Sequence, residues 1–413
     1  MSDTVSRRDE VDRALRARAR AVIPGGMYGH QNAAWLPEGY PQFFASGRGC
    51  RIRDVDGNDY IDFMCSYGPI VLGHAHAEVD AAAARQQALG DCQNGPSARM
   101  VELAELLVDT VAHADWAMFQ KNGTDAMSAC VTIARAATGR RKILVAKGAY
   151  HGAAAWCTPV AAGIPAEARA HLIAYTYNDI ASVERAVDEA GSDLAGIVAS
   201  AFRHDARTDQ ALPDPTFAQR LRALCDKRDA ALILDDVRAG FRLHLAGSWE
   251  ALGVRPDLSA WSKAIANGYP LAAVLGGERF REGATKIFAT GSFWFAATAM
   301  AAAIATINIL RQGDAIPAMA RAGALFRDGI AAQARSHGIP IRQSGPAQMP
   351  LILFDDDADF KKGALWTAEA MKRGVYLHPW HNMFLSAAHR DEDIREALEI
   401  TDIAFAKLRR TYG

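Results

Sequence analysis

The stretch LILDDVRAGFR, Leu232 to Arg242, ends an apolar run in two adjacent carboxylates, Asp235 and Asp236. Further along, WSKAIANGYPL places Lys263 just beyond a second apolar strand. A lysine facing an aspartate across a cleft can be an ordinary ion pair. Two more stretches widen the possibilities. FQKNGTDA reads as a strand followed by Gly123-Thr124 at a helix start, where backbone N–H groups can hold a phosphate, or as a plain turn. AYHG offers the ring of Tyr150 after the next strand, either as a face for a ligand or as a packed strand end. A phosphate nest, an aromatic face, a buried acid and a lysine are the set that pyridoxal 5'-phosphate requires. The lysine forms a Schiff base, and the acid keeps the pyridine nitrogen protonated. A dinucleotide cofactor is the weaker alternative, because no G-x-G-x-x-G follows a strand.

These residues need a frame that brings strand ends together. CRIRDVDGNDYIDFM alternates around Asp56-Gly57 as a hairpin does. Helical periodicity runs through SARMVELAELLVDTVAH, and WAMFQ reads as a short strand before the helical DAMSACVTIARAATG. KILVAK, LAGIVAS, AALILD, DLSAWS and LAAVLGG read as further strands, and helices separate several of them. Strands apolar on both faces and alternating with helices imply an α/β fold with a mostly parallel central sheet flanked by helices. In such sheets ligands bind at the carboxyl ends of the strands, where Asp235, Asp236 and Lys263 all lie. From about residue 296 the order changes to Ala-rich helices, a strand pair in IPIRQSGPAQMPLILFD and two more helices. The expected division is an N-terminal segment 1–55, a large domain 56–295 and a smaller α+β domain 296–413, with the first segment packing on the last.

Composition excludes several classes. The 413 residues are 50% hydrophobic, enough for a sizeable core, and the formal net charge is -1. That balance suggests neither nucleic acid nor an anionic membrane as a partner. The 6 cysteines are scattered with no C-x-x-C pair, which reads as buried thiols in a reducing, cytoplasmic setting and not as a metal site. No apolar run is long enough to span a membrane. The Arg-rich start is interleaved with Asp9, Glu10 and Asp12, so it reads as a surface helix ending before Pro24.

The motifs IPGG, DVDGNDYID, GPIVLGHAH, NGTDA, YHG, LILDDVRAGFR, SKAIANGYPLAAVLGG and FLSAAH occur in order along nearly the whole chain. In this the sequence resembles the class III, fold type I, pyridoxal-phosphate aminotransferases, in the branch of glutamate-1-semialdehyde 2,1-aminomutase. The resemblance implies that Lys263 carries the cofactor and shuttles the proton, and that Asp235 pairs with the pyridine nitrogen. It implies that Val237 and Tyr150 cover the two ring faces and that Gly123 and Thr124 bind phosphate. It also implies a homodimer with a shared active site, in which Ser292 of Gly291-Ser292 completes the partner's phosphate cup. The substrates would be a small-molecule amine and a carbonyl compound; amino sugars, β-amino and ω-amino compounds are all open. An aminomutase or amine epimerase is the alternative activity. A non-catalytic relative is a third reading, against which Lys263 and Asp235 speak.

Four departures cluster around the expected pocket. Asn122 stands where the family has Ser, and Asn32 lies near the family's carboxylate-gripping Arg. Ser200-Ala201 replaces Glu-Pro, and Phe293 to Ala297 replaces the usual continuation of the partner loop. They imply the same cofactor with a different substrate. Phe293, Trp294 and Phe295 read as packing or as a substrate wall. Arg203 and His204 read as a solvated loop or as anion readers. HPWHN, His378 to Asn382, is a candidate substrate contact, and the role of Asp236 is open between structure and function.

Overall fold

The computed structural model describes residues 7–412. Three strands come first: β1 (Phe44–Arg48), β2 (Arg51–Asp54) and β3 (Asp59–Asp62). The central strands are β4 (Trp116–Gln120), β5 (Lys142–Ala146), β6 (Leu172–Tyr175), β7 (Leu194–Ser200), β8 (Ala231–Asp235), β9 (Leu258–Trp261) and β10 (Ala272–Gly276). The C-terminal part adds β11 (Ile341–Ser344), β12 (Leu351–Phe354) and β13 (Val375–Tyr376).

The central sheet has 7 strands in the order β4-β10-β9-β8-β7-β5-β6. Pairs β5–β6, β5–β7, β7–β8 and β8–β9 are parallel. β7 and β8 are buried at every residue, as a mid-sheet strand covered on both faces must be. β10 is the exception and runs antiparallel to both β4 and β9. The segment between β9 and β10 holds a single 3-10 turn, Lys263–Ala266, and no crossover helix, so the chain folds straight back. The sequence reading passed over β6. It is a four-residue edge strand with alternating burial, too short for its pattern to stand out.

A second sheet has the order β1-β2-β3-β13 and joins the N-terminal hairpin to the C-terminal part. The 55/56 boundary expected from the sequence falls in the turn of this hairpin, and β2 pairs with β3 across it. β11 and β12 form the expected strand pair, and it is antiparallel. Helices Ala297–Arg311, Ala315–His337, Lys361–Met371 and Asp391–Tyr412 build the rest of this end. One apolar cluster runs from Phe119, Trp261 and Ala273 of the central sheet to Phe326, Ile394 and Leu408 of the late helices. The N-terminal helix Glu10–Val22 stops before Pro24 as expected. Its Asp12 accepts the N–H groups of Gln42 and Phe43, both at 2.9 Å, which pins it beside β1. No helix among the described residues is long and apolar enough to cross a membrane.

Candidate active site

The carboxyl ends of β4, β5, β7, β8 and β9 deliver their following residues to one cavity of about 230 Å³. It is lined by Asn122, Gly123 and Thr124 at one end, by Asp235 and Val237 after β8, and by Lys263 after β9. Tyr150 also lines it. Six of the seven expected cofactor residues therefore meet in one place. The seventh, Ser292, is exposed and lies outside this lining.

One end of the cavity is built by a helix start. Helix Gly123–Thr138 has Asn122 as its N-cap, and the Asn122 side chain accepts the Asp125 N–H at 3.0 Å. Asn caps a helix as well as Ser does, so this departure leaves the positive helix end intact. A methyl group on Gly123 would lie 2.7 Å from Val237 Cγ1, and one on Gly152 would lie 2.5 Å from Thr124 Oγ1. Both close approaches need glycine: the first seats the helix start against the end of β8, the second seats the loop after β5 against the helix start.

At the opposite end Asp235 is 6% exposed. Its Oδ1 accepts the Val237 N–H at 3.0 Å, and its Oδ2 accepts from His151 Nδ1 at 2.7 Å. The carboxylate thereby fixes the His151 tautomer while its own orientation is fixed from two sides. The sequence reading missed His151; the only signal was its place directly after Tyr150. An isolated buried carboxylate would cost several kcal/mol, so a cationic partner in the cavity is the physical complement of this strand end.

Lys263 has φ 49, the left-handed region that side chains other than glycine avoid, and such strain gathers at functional positions. Burial holds its amine well below the usual lysine range, and the nearby Arg238 cation adds to the effect while Asp235 opposes it. An uncharged amine is the form that attacks an aldehyde. Arg238, also missed from sequence, lines the cavity at 9% exposure. Its Nη1 donates to Asn382 Oδ1, which brings the HPWHN segment to the edge of the site. Burial pushes its guanidinium down to about 10. His204 turns into the cavity, while Arg203 donates to the Asp209 carbonyl at 2.7 Å within its own loop. Burial first, and then Arg238 and Lys263, hold His204 uncharged. His204 therefore offers no charge to an anion. No cluster of metal-ligating side chains occurs among the described residues.

Asp236 points away from the cavity. It is fully buried, and its Oδ2 accepts the Ser248 N–H at 3.3 Å while its Oδ1 has no partner. Burial pushes its carboxyl up to about 7, against the opposing Ser248 contacts. The folded chain keeps this proton up to about 7, whereas an unfolded chain loses it near 3.8. Stability therefore falls as pH rises through that window, by at most ~1.4 kcal/mol per unit, and the loss is complete above the folded value. Asp236→Asn removes the titration. Its melting temperature relative to the parent should rise between pH about 5 and about 8; a constant difference would take Asp236 out of this role.

Pyridoxal phosphate fits this donor set: a helix N-terminus for the phosphate, a buried acid for the ring nitrogen and an uncharged lysine for the aldehyde. The His151 Nε2, His204 Nδ1 and Arg238 Nε atoms are buried without partners, so polar capacity is left for a ligand. The profile of the family Aminotransferase class-III matches residues 37–404. An aminopentol aminotransferase of Sphingopyxis macrogoltabida is 52% identical over 399 residues, covering 97% of this chain and 94% of that protein. A 3-aminobutyryl-CoA aminotransferase of Cloacimonas acidaminovorans is 32% identical over 403 residues, covering 96% and 97%. The pyridoxal-phosphate internal aldimine form of the Sphingopyxis sp. MTA144 FumI protein superposes with a TM-score of 0.96 at 52% identity, covering 97% of each chain. The chain belongs to the class-III aminotransferases and is a pyridoxal-phosphate-dependent enzyme that moves an amino group from an amine to a carbonyl acceptor.

Proposed function

We propose that the amine donor is a hydroxylated amine that carries no carboxylate for the site to grip. The observation that carries this reading is the 52% identity over 97% of the chain to an enzyme named for an aminopentol, an amine that bears hydroxyls. The Asn32 side chain supports it. Asn32 Oδ1 accepts the Ala34 N–H at 3.0 Å and so is spent on a local turn instead of reaching for a carboxylate.

In this reading Gly123 and Thr124 hold the phosphate, Asp235 holds the proton of the ring nitrogen, and Val237 and Tyr150 cover the ring. When bound, the cofactor supplies an electron-accepting ring beside the amine carbon. His151 keeps the Asp235 carboxylate oriented. Lys263 Nζ, uncharged at rest, takes the proton from the amine-bearing carbon and later returns it, as general base and then acid. The fully buried strands β7 and β8 keep water from the inner side of the site.

The test incubates holoenzyme with 1-amino-1-deoxyglucitol or with glutamate-1-semialdehyde, each with a panel of carbonyl acceptors, and follows loss of the free amine. The hydroxylated amine should be consumed. The semialdehyde should be poorer by about 10- to 100-fold, since a charge-assisted hydrogen bond to its carboxylate is worth roughly 1.5–3 kcal/mol. Efficient turnover of the semialdehyde alone would overturn the reading.

The same proposal includes a homodimer with shared sites, in a reducing cytoplasmic setting that the free cysteines favour. Exposed Ser292 lies outside its own chain's cavity, which leaves it available to a neighbour's phosphate end. A dianion gains from converging donors of both chains. Mixing Lys263→Ala with a variant whose Ser292 loop is replaced should restore about a quarter of the parent activity. Random exchange makes half the dimers mixed, and each mixed dimer has one intact site of its two. No recovery after proven subunit exchange would assign the loop to its own chain.

A further inference from the structure

The cofactor accounts for the cavity, but not for a cluster of rings that stands beside Lys263 and Arg238, outside the cavity lining. Cys65, Ser66 and Tyr67 have φ 46, 55 and 64, three successive non-glycine residues in the left-handed region. Such a turn is strained at each residue. Asp62 Oδ1 holds it by accepting the N–H groups of Met64 at 2.8 Å and Cys65 at 3.0 Å. The turn carries the chain past the reacting lysine. A methyl group on Gly68 would lie 3.4 Å from Lys263 Cδ and 2.9 Å from the Phe384 ring. Tyr67 is the residue before it.

Around Tyr67 stand three imidazoles from two distant segments. The Tyr67 ring meets His30 edge-on at 4.4 Å between centroids, His381 at 5.2 Å and His378 at 6.4 Å. His381 is spent on the frame: its Nδ1 donates to the Asn382 carbonyl at 2.7 Å, and its Nε2 faces Arg238 Nη1 at 3.4 Å. His378 is different. Its Nδ1 accepts the N–H groups of Trp380 at 3.3 Å and His381 at 3.1 Å. The ring proton is therefore on Nε2, where it can donate. Burial pushes His378 down to about 3. Partial desolvation, then Lys263 and Arg238, lower His30, although part of its ring stays exposed to solvent. Past His378 lies Trp380, with the Arg207 guanidinium 5.3 Å from its ring centroid.

A row of uncharged rings carrying N–H, O–H and lone pairs matches hydroxyl groups, which also donate and accept. It offers no charge to a carboxylate. We propose that Tyr67, His30 and His378 form a hydroxyl-binding subsite for a polyhydroxylated chain that carries its amine to Lys263 and runs outward toward Trp380. This deepens the hydroxylated-amine reading above and rests on it.

The test uses holoenzyme in single turnover, without acceptor, reading the absorbance change of the bound cofactor. The probes are 1-amino-1-deoxyglucitol and hexylamine, which share a six-carbon chain and differ in hydroxyls. Tyr67→Phe keeps the ring and removes the hydroxyl. His378→Asn keeps an oxygen acceptor for the backbone N–H groups and withdraws the Nε2 donor. In each variant the ratio of the polyol's efficiency to hexylamine's should fall about 3- to 10-fold, the size of one neutral hydrogen bond, with the loss mainly in KM. A ratio unchanged in both variants, with a parent that prefers the polyol, overturns the subsite alone. A parent enzyme that converts hexylamine and not the polyol overturns the hydroxylated-amine reading and the subsite with it.

Discussion

Lys263→Ala should leave a folded protein that turns over at least about 10³-fold more slowly than the parent. Lys263 has two tasks in the proposed site: it carries the cofactor and it moves the proton. Proton transfer by a positioned group is alone worth about 10²–10⁴. The parent should be yellow, and borohydride should fix the cofactor on the peptide containing Lys263. Lys121, Lys142 and Lys147 flank the same strands but lie outside the cavity lining. Lys121 Nζ faces the Phe293 carbonyl at 3.5 Å, and Lys142 Nζ donates to the Glu189 carbonyl at 2.9 Å. A label on any of the three would remove Lys263 from its role.

Asp235→Asn should keep the cofactor and lose about 10²- to 10³-fold in turnover, the scale of one preorganised electrostatic contact. Asn still accepts the Val237 N–H, so the turn after β8 survives. It cannot hold a proton on the ring nitrogen by opposite charge, and its amide faces the His151 nitrogen that the carboxylate had oriented. Asp236→Asn should be far milder in turnover, because Asp236 contacts Ser248 behind the strand and does not line the cavity. Two adjacent carboxylates thus give a built-in control. Equal losses at both positions would mean that charge at the end of β8, and not contact with the ring, is what matters.

The frame of this site was legible because its residues must satisfy two demands at once. AALILD is apolar on both faces, which a covered mid-sheet strand tolerates, yet it ends in Asp235, a buried acid that a strand end facing a cationic ligand accommodates. The same logic found β4, β5, β7 and β9 and the nest at Gly123-Thr124. It missed β6, whose edge position relaxes the apolar pattern, and it gave no sign that β10 runs backwards. Direction depends on whether the connecting chain can form a crossover, not on the strand's own residues.

Residue types and order along the chain by themselves determined the cofactor and the core chemistry of this protein. Taken singly, the lysine and aspartate read equally as an ion pair and Gly123-Thr124 as a turn; it is their occurrence together, in order with the other motifs along nearly the whole chain, that points to the cofactor. Only the tertiary structure decided what surrounds them. His151, Arg238 and His204 come from three separate loops, and none carries a local pattern that sets it apart from a solvated or packed residue. The Tyr67, His30 and His378 cluster joins two N-terminal segments to one about three hundred residues further along the chain, and the His378 tautomer follows from backbone N–H groups that no sequence displays. Chemistry that rests on residue identity can be read along the chain. Specificity rests on long-range contacts and local dielectric, and these exist only once the chain has folded.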